Sequence, residues 1–478
     1  MQISMLNLDV RNLSLVMGSA ETEIADFANS VALFAQDCAN RVTEPAVRQA
    51  IVARLVDTVG CLRGAMNEDA VVRARKTALT FSLVATSAKG ASVAGTAERV
   101  TVEAATFVNC VAARYLDFND IYLSKEAVHP SDNIPAALAL AETLGVSGAE
   151  LVDAMAVGYE VHCRLADAVS TRKGRWDNVI LGAIAASVMA GKLLKLGRVE
   201  MVHAINIAAS GNTALMQTRV GTLSMWKAAA AAYAARAGVF AAISAAEGLT
   251  GPPAALNGSH GLFMQVTGLP EEGAFDIPVG SFHLLNTHLK AYSSQYFTQT
   301  AISAALALRP RVPVNKIRKI VVSTFEFGRV AAADSAEKWR PRTRETADHS
   351  MPFCVAIALL DGAVTVSSFD AHNLERPDLV ALLGRIEVVE DPAFTAIYPS
   401  KVPTGIQVEL SDGRVEAVVI DFPLGHSGNP MSNAQIAEKF LDVSGSTAQM
   451  QALLIDLGGI ERLEGAATTA LIRRAVNA

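Results

Sequence analysis

The first half of the chain is dominated by alanine-rich segments in which apolar residues recur every three or four positions. Val47, Ile51, Leu55 and Val59 show this spacing, which places their side chains on one face of a helix. Alanine has the highest intrinsic helix propensity, and little of residues 22–248 alternates between apolar and polar side chains. Several of these segments lack a broad charged face. We therefore predict a large all-helical domain whose helices are buried on most sides.

The pattern changes in the second half of the chain. Residues 251–280 are rich in glycine and proline, which predicts an irregular connection. Residues 316–327 are rich in β-branched and aromatic residues, which predicts a strand. Residues 405–410 and 415–420 alternate on either side of Ser411-Asp-Gly, and this pattern predicts a hairpin.

The predicted fold is mainly α with an α+β part. A chain of 478 residues is too long for one compact core, since domains usually hold roughly 100–200 residues. We place the all-helical domain at residues 22–285 and a smaller α+β domain at residues 286–432. Helical spacing returns after Asn433, so residues 433–478 are predicted to form C-terminal helices.

The charge balance limits the classes of partner. The chain has 41 basic and 47 acidic residues, a formal net charge of −6. This balance gives no reason to expect nucleic acid or an acidic membrane as a partner. An anionic substrate would therefore be held by a local cationic pocket.

Cysteine usage and hydropathy indicate a soluble, cytoplasmic protein. The five cysteines are isolated, with no C-x-x-C pair, which is typical of free thiols in a reducing compartment and predicts no metal site. The apolar stretch at residues 179–191 is too short to span a bilayer, and the one at residues 228–246 is interrupted by Arg236. The first twenty residues lack the features of a signal peptide, and we interpret them as a leader or remnant.

The most informative polar pattern lies in residues 116–138. Asp117 and Asp120 follow a helical segment, and His129 precedes a proline that favours extended backbone. This loop could form an acid/base site, because it combines carboxylates, an imidazole and the start of a helix. A capped helix after a polar loop is the alternative interpretation.

The helix after this loop has predicted boundaries. Ser131 or Asp132 would cap its N-terminus, with Pro135 in the first turn and Gly145 after its end. The positive end of this helix would then lie beside His129 and favour anions.

The same segments resemble a known family. Asp117-Phe-Asn-Asp and His129-Pro-Ser-Asp-Asn resemble the signature of the MmgE/PrpD family, which includes 2-methylcitrate dehydratases, cis-aconitate decarboxylases and iminodisuccinate epimerases. Four further segments fit the resemblance, which spans about residues 25 to 445: Gln217-Thr-Arg-Val-Gly-Thr-Leu-Ser-Met-Trp-Lys, Glu247-Gly-Leu-Thr-Gly-Pro, Thr346-Ala-Asp-His-Ser-Met-Pro-Phe and Leu359-Leu-Asp-Gly. The resemblance implies that the C-terminal helices return to the helical domain and that the α+β domain is a lid. It also implies a homodimer that uses no metal and no organic cofactor.

The resemblance also implies catalytic residues. His129 matches the catalytic histidine of the family and is our candidate for acid/base chemistry. Asp117 matches the aspartate at the start of the motif, and it would orient His129 or exchange a proton with the substrate. A structural carboxylate at a helix end is the alternative for Asp117.

Four residues are candidates for substrate binding. Arg219 matches a basic position of the family, and a guanidinium suits a carboxylate. Lys227 would face the pocket or extend its ammonium group to the surface. Lys290 and Tyr292 resemble the lysine-containing segment at the start of the lid, and a solvated lysine is the alternative for Lys290.

The implied function is a hydro-lyase acting on a small di- or tricarboxylate such as 2-methylcitrate. Three departures weaken the transfer of one exact activity: Ile121 replaces a frequent threonine, Trp176-Asp-Asn lacks the histidine of the decarboxylases, and Gln295-Tyr-Phe-Thr-Gln lacks another histidine. The alternatives are an isomerase or epimerase, a decarboxylase, and a non-catalytic protein of the same fold.

Asp348 and His349, in the shared Thr346 motif, would hold lid and core together or take part in catalysis.

Overall fold

The computed structural model describes residues 26–82, 89–270, 275 and 281–477. Its N-terminal half is a set of packed helices with two short strand pairs. The helices are α1 (Phe27–Arg41), α2 (Pro45–Gly64), α3 (Asp69–Phe81), α4 (Val102–Tyr115), α5 (Ile134–Leu144), α6 (Gly148–Ala168), α7 (Val179–Leu193), α8 (Arg198–Gly211), α9 (Trp226–Ala246) and α10 (Leu262–Val266). The strands are β1 (Ala91–Ser92), β2 (Arg99–Val100), β3 (Tyr122–Leu123) and β4 (Ala127–Val128), paired β1 with β2 and β3 with β4.

The second part of the chain contains a four-stranded mixed sheet with helices. The strands β5 (Ile317–Thr324), β6 (Ile386–Glu390), β7 (Thr404–Leu410) and β8 (Val415–Ile420) lie in the order β6-β5-β7-β8, and β5 pairs with β6 in parallel and with β7 antiparallel. The helices are α11 (Gln299–Leu308), α12 (Glu326–Ala333), α13 (Ala336–Trp339), α14 (Arg344–Ala347), α15 (Met351–Asp361), α16 (Ala371–Leu374), α17 (Pro377–Leu383) and α18 (Pro392–Ile397). The chain ends with α19 (Asn433–Ser444), α20 (Ala448–Gly458) and α21 (Gly465–Val476).

Separate apolar cores stabilise the two parts. One core combines side chains of α1, α2, α5, α6 and α7 with Phe440 of α19, Leu453 of α20 and Leu471 of α21. The C-terminal helices therefore pack on the N-terminal half. A second core joins the sheet to α11 and α15, including Ile320 and Phe353.

Close approach of alanine-rich helices is visible between α7 and α9. A Cβ atom added at Gly238 of α9 would lie 2.4 Å from the carbonyl oxygen of Ala183 and 2.6 Å from the Cβ of Ala186, both in α7. The two backbones are therefore separated only by small side chains. This contact explains why these segments use alanine and glycine in place of larger apolar residues.

The structure confirms the predicted fold class, the strand after residue 316 and the hairpin at residues 404–420. Gly145 ends α5 in the left-handed region with φ 66°, as its position predicts. The predicted cap is wrong, because α5 begins at Ile134, and Ser131 and Asp132 form a preceding 3₁₀ turn. The exact domain boundaries stay predictions, and the first twenty residues lie outside the described residues.

One helix within the described ranges, α9, is long and apolar enough to cross a membrane by length and composition alone. Of its most apolar window, 67% is buried inside the protein, as in a core helix. A cytoplasmic location stays a prediction.

We expect Gly238→Ala to destabilise the protein by about 1–3 kcal/mol, because the added methyl group would displace backbone atoms of α7. Urea unfolding followed by circular dichroism measures this change. Gly458→Ala in α20 is the control, since no atom lies within 4 Å of its added Cβ. Equal stability of the two variants would contradict the close packing of α7 and α9.

Candidate functional site

The loop after α4 is held by side chains from distant parts of the chain. Asp117 has φ 49°, in the left-handed region that aspartate tolerates better than most residues. The Ser293 hydroxyl donates to the Leu116 carbonyl at 2.7 Å, and the Lys439 ammonium donates to the Phe118 carbonyl at 2.8 Å. These contacts fix the backbone that presents the Asp117 carboxylate.

Four basic side chains surround the Asp117 carboxylate. Arg114 of α4 donates to Oδ1, the Lys290 Nζ lies 3.1 Å from Oδ1, the Lys227 Nζ lies 3.5 Å from Oδ2, and the His349 Nε2 lies 3.6 Å from Oδ2. The side chains of Asp117, Lys227 and Lys290 are at most 1% exposed. We call these five residues the charged cluster.

Electrostatics keeps Asp117 ionised. Burial opposes its ionisation, but the charges of Arg114, Lys227 and Lys290 hold the pKa of this carboxyl well below its usual range. Asp117 is therefore the anion that compensates the buried cations. This state favours an orienting role over proton exchange with a substrate.

The two lysines of the cluster are easier to deprotonate than ordinary lysines. Burial lowers the pKa of Lys227 and of Lys290 to about 8, although Asp117 opposes the shift. Both side chains carry a positive charge at pH 7. The sequence left their orientation open, and the structure places both of them inside the protein.

His129 lies at the edge of the cluster as a neutral imidazole. Its Nδ1 is 2.6 Å from the Asp120 carbonyl oxygen, and its Nε2 is 3.1 Å from the Arg114 Nη2. These partners assign a tautomer in which Nδ1–H donates and Nε2 accepts. Burial, together with the charges of Arg114 and Lys290, holds the pKa of His129 well below its usual range. Nε2 is therefore a free base oriented towards the cationic region.

A polar network joins the two halves of the 117–132 loop. The Ser131 hydroxyl donates to the Asp120 Oδ1 at 2.5 Å, and the Asn119 amide donates to the Ser131 Oγ at 2.9 Å and to the Asp132 Oδ1 at 2.8 Å. Ser131 and Asp132 use their side chains in this network, which is why neither caps α5. The network fixes the position of His129 relative to Asp117. Among the described residues, no hydrogen bond joins the His129 and Asp117 side chains directly.

Arg219 lies beside the cluster but is already paired. Its Nε is 2.9 Å from the Asp177 Oδ2, and its Nη1 donates to the Lys227 carbonyl oxygen at 3.1 Å. The positive charge of Arg219 is close enough to contribute to the lowered pKa of Lys227. The side chain of Arg219 is 20% exposed.

Tyr292 lies apart from the hydrogen bonds of the charged cluster that the structure describes. Its backbone N–H donates to the Gln299 Oε1 at 3.0 Å, and its ring packs against the second core. Burial raises the pKa of its hydroxyl. Its predicted contact with substrate stays a prediction.

Arg114 was not among the predicted site residues, and Asp348 and His349 were predicted either to hold lid and core together or to take part in catalysis. Arg114 contacts both predicted catalytic residues, and its position three residues before Asp117 in a helical segment was a usable signal. The Asp348 carboxylate bonds the His349 Nδ1 and thereby orients its Nε2 towards Asp117. Burial raises the pKa of Asp348 to about 7, although Lys227 opposes the shift.

Across residues 26–82, 89–270, 275 and 281–477, no group of three or more histidine, cysteine, aspartate and glutamate side chains could hold a metal ion. The chemistry available to the described cluster is that of carboxylates, imidazoles and fixed cations.

The chain is similar to known proteins along most of its length. Residues 29–272 match the MmgE/PrpD N-terminal domain, and residues 292–455 match the MmgE/PrpD C-terminal domain. The chain is 30% identical over 399 residues to 2-methylcitrate dehydratase of Escherichia coli K12, covering 78% of this chain and 80% of that protein. It is 29% identical over 398 residues to 2-methylcitrate dehydratase of Cupriavidus necator (78% and 80%), and 28% identical over 358 residues to human cis-aconitate decarboxylase (70% and 71%).

We expect Asp117→Asn to lower the free energy of unfolding by about 3–5 kcal/mol, because three buried cations would lose their shared anion. Asparagine tolerates the same left-handed backbone, so the effect isolates the charge. Thermal unfolding measures it. The control is Asp361→Asn, which breaks a partly exposed pair with Arg376 and should cost less than about 1 kcal/mol. Equal melting temperatures for the two variants would contradict this role of Asp117.

Proposed function

The chain belongs to the MmgE/PrpD family, and we propose that this lyase is a hydro-lyase acting on a small hydroxy-polycarboxylate. The observation that carries the proposal is the buried cluster of cations around one carboxylate, with a neutral imidazole at its edge. The names of the bacterial relatives, 2-methylcitrate dehydratase, support the same chemistry. 2-Methylcitrate or a close analogue is therefore the proposed substrate.

The cations of the cluster support the proposal that the substrate carries several carboxylates. Arg114, Lys227 and Lys290 all contact the Asp117 carboxylate, and the Nε of Arg114 also lies 3.6 Å from the Asp132 Oδ1. The Lys227 Nζ is buried and makes no hydrogen bond within the described residues. A substrate carboxylate would supply the missing acceptor and a second anion for the cluster.

His129 is the proposed base. Removing a proton from a carbon next to a carboxylate builds negative charge on a group that is already charged, and fixed cations stabilise that charge. The His129 Nε2 is unprotonated and points to the same cations. In this proposal a substrate carboxylate draws Arg114 away from Nε2, which then accepts the proton.

The Asp348–His349 pair is the proposed acid. In the reaction the C–H electron pair forms the double bond, the C–O bond breaks, and the leaving hydroxide needs a proton to depart as water. Because burial raises the pKa of Asp348 to about 7, this hydrogen-bonded pair is partly protonated at neutral pH. His349 would pass it from Nε2 to the leaving oxygen.

The same pair of imidazoles supports an isomerase as the second candidate. An epimerase needs one base and one acid on either side of a carbon but expels no hydroxide. His129 and His349 both lie at the cluster and come from different parts of the chain. The discriminating observable is water loss, which only the hydro-lyase catalyses.

Access to the cluster requires movement of the second part of the chain. Asp117 and its lysine partners are almost fully buried, so a substrate cannot reach them in this arrangement. His349 belongs to the α14–α15 connection of the second part. We propose that separation of this part from the helical part admits the substrate.

We expect kcat/KM for the dehydrated substrate to fall as the pH rises above about 8, because Lys227 and Lys290 lose their positive charges there. Each lysine that must be protonated would reduce kcat/KM about tenfold per pH unit above its pKa. Alkene formation measured from pH 6 to pH 10 tests this. A constant kcat/KM up to pH 10 would contradict a binding role for these lysines.

We expect His129→Gln to lower kcat by about 10²–10⁴-fold while the fold is retained, because the general base is lost. A panel of hydroxy-tricarboxylates in deuterated water gives two readouts, water loss and proton exchange next to a carboxylate. His372→Gln is the control, since this histidine is exposed on α16. Full activity of the His129 variant would refute the assignment, and exchange without water loss would favour the isomerase.

A further inference from the structure

A nearly buried lysine without an ionic partner lies beside the charged cluster. Lys338 belongs to α13, and only 5% of its surface is exposed. Within the described part of the chain, its ammonium group makes no hydrogen bond and no ion pair. Burial of an uncompensated charge is costly, so lysines are rarely buried unless they pair with an anion or serve a function.

The backbone of α13 is fixed next to the cluster. The Ser350 hydroxyl donates to the Lys338 carbonyl oxygen, and Ser350 directly follows His349. The Trp339 Nε1 donates to the Ala333 carbonyl oxygen at 2.9 Å. The main chain of Lys338 is therefore held in place, although its ammonium group is unpaired.

The ammonium group of Lys338 is within electrostatic reach of the cluster. Burial lowers its pKa, and the negative charges of Asp348 and Asp117 oppose that shift. Burial is also the main cause of the lowered pKa of His349, and the positive charges of Lys227 and Lys338 add to it. Lys338 therefore places a further positive charge beside the central anion of the cluster and beside the proposed acid.

The segment that follows α13 contacts the helical part close to Lys227. The Leu223 N–H donates to the Thr346 Oγ1 at 3.3 Å, and Leu223 lies shortly before Lys227 along the chain. Lys227 belongs to α9 and Lys338 to α13, so the two lysines approach the cluster from different parts of the chain. A substrate bound between these parts would meet a cation on each side.

We propose that Lys338 binds a second carboxylate of the substrate, while Lys227 and Lys290 bind the first. This inference rests on the proposed function and specifies how its substrate is recognised. With one cation on each part of the chain, only an acid with at least two carboxylates can contact both. A carboxylate at Lys338 would also supply the anion that the described residues do not provide.

A structural role for Lys338 makes a different prediction. If attraction between Lys338 and Asp348 stabilised the fold, removal of the ammonium group would lower the melting temperature. If the lysine is instead an uncompensated charge kept for the substrate, its removal leaves the melting temperature unchanged or raises it.

Isothermal titration calorimetry of the full chain with tricarballylate at pH 7 tests the proposal. This tricarboxylate has no hydroxyl group, so it cannot lose water. We expect Lys338→Met to bind it about 10–150-fold more weakly, because one charge-assisted hydrogen bond is lost. The melting temperature of the variant should be no lower than that of the unmodified chain.

Lys319→Met is the matched control. It removes a half-exposed lysine of β5 that pairs with Glu387, and the affinity should not change. Unchanged affinity in the Lys338 variant, or weaker binding accompanied by a lower melting temperature, would overturn the proposal. Absence of tricarballylate binding by the unmodified chain would overturn it together with the polycarboxylate site.

Turnover separates a binding role from an effect on His349. A binding role predicts that KM of the Lys338→Met variant rises by about the same factor while kcat changes less than about threefold. A lower kcat with a shifted pH profile and an unchanged KM would show that Lys338 acts through His349, and would overturn the assignment. Since binding requires no turnover, weaker binding by the variant supports this inference even if no acid loses water, an outcome that counts against the proposed function alone.

Discussion

The structure around the candidate site depends on one buried carboxylate. Arg114, Lys227 and Lys290 are all buried, and the ionised Asp117 carboxylate, which contacts each of them, offsets the cost of burying their charges. These residues come from α4, α9 and the segment before α11, so a single anion joins three separate parts of the chain. The positive φ of Asp117 and the side-chain donors on its loop hold that anion in place.

In the proposed function, the same arrangement of buried charges prepares the cluster to bind and transform an anionic substrate. The cations of the cluster all contact the Asp117 carboxylate, and a substrate with several carboxylates would add further negative charges beside them. Burial that lowers the pKa of the lysines also keeps His129 unprotonated, so in the proposed mechanism one environment would provide both the base and the charges that stabilise its product. Stability and reactivity therefore rest on the same residues, which is common where charged groups are buried for function.

Different faces of the alanine-rich helix α9 make different contacts. Its small residues allow α7 to approach at Gly238, its first turn directs Lys227 into the cluster, and Trp226, Tyr233 and Phe240 are exposed on its outer face. Alanine supplies helix propensity without occupying space, so the few large or charged side chains on this helix decide what each face contacts. Their positions were visible in the sequence, but their partners were not.

The sequence by itself determined the class of fold, the strands and hairpin of the second part, and the loop that carries Asp117 and His129, because these follow from local periodicity, turn residues and short motifs. Only the tertiary structure decided that Lys227 and Lys290 are buried, that Arg114 joins Asp117 to His129, and that His349 enters the cluster. Lys290 meets a carboxylate 173 positions earlier in the chain. Periodicity reports which face of a helix is apolar, whereas desolvation and charge pairing depend on segments that meet only when the whole chain is packed.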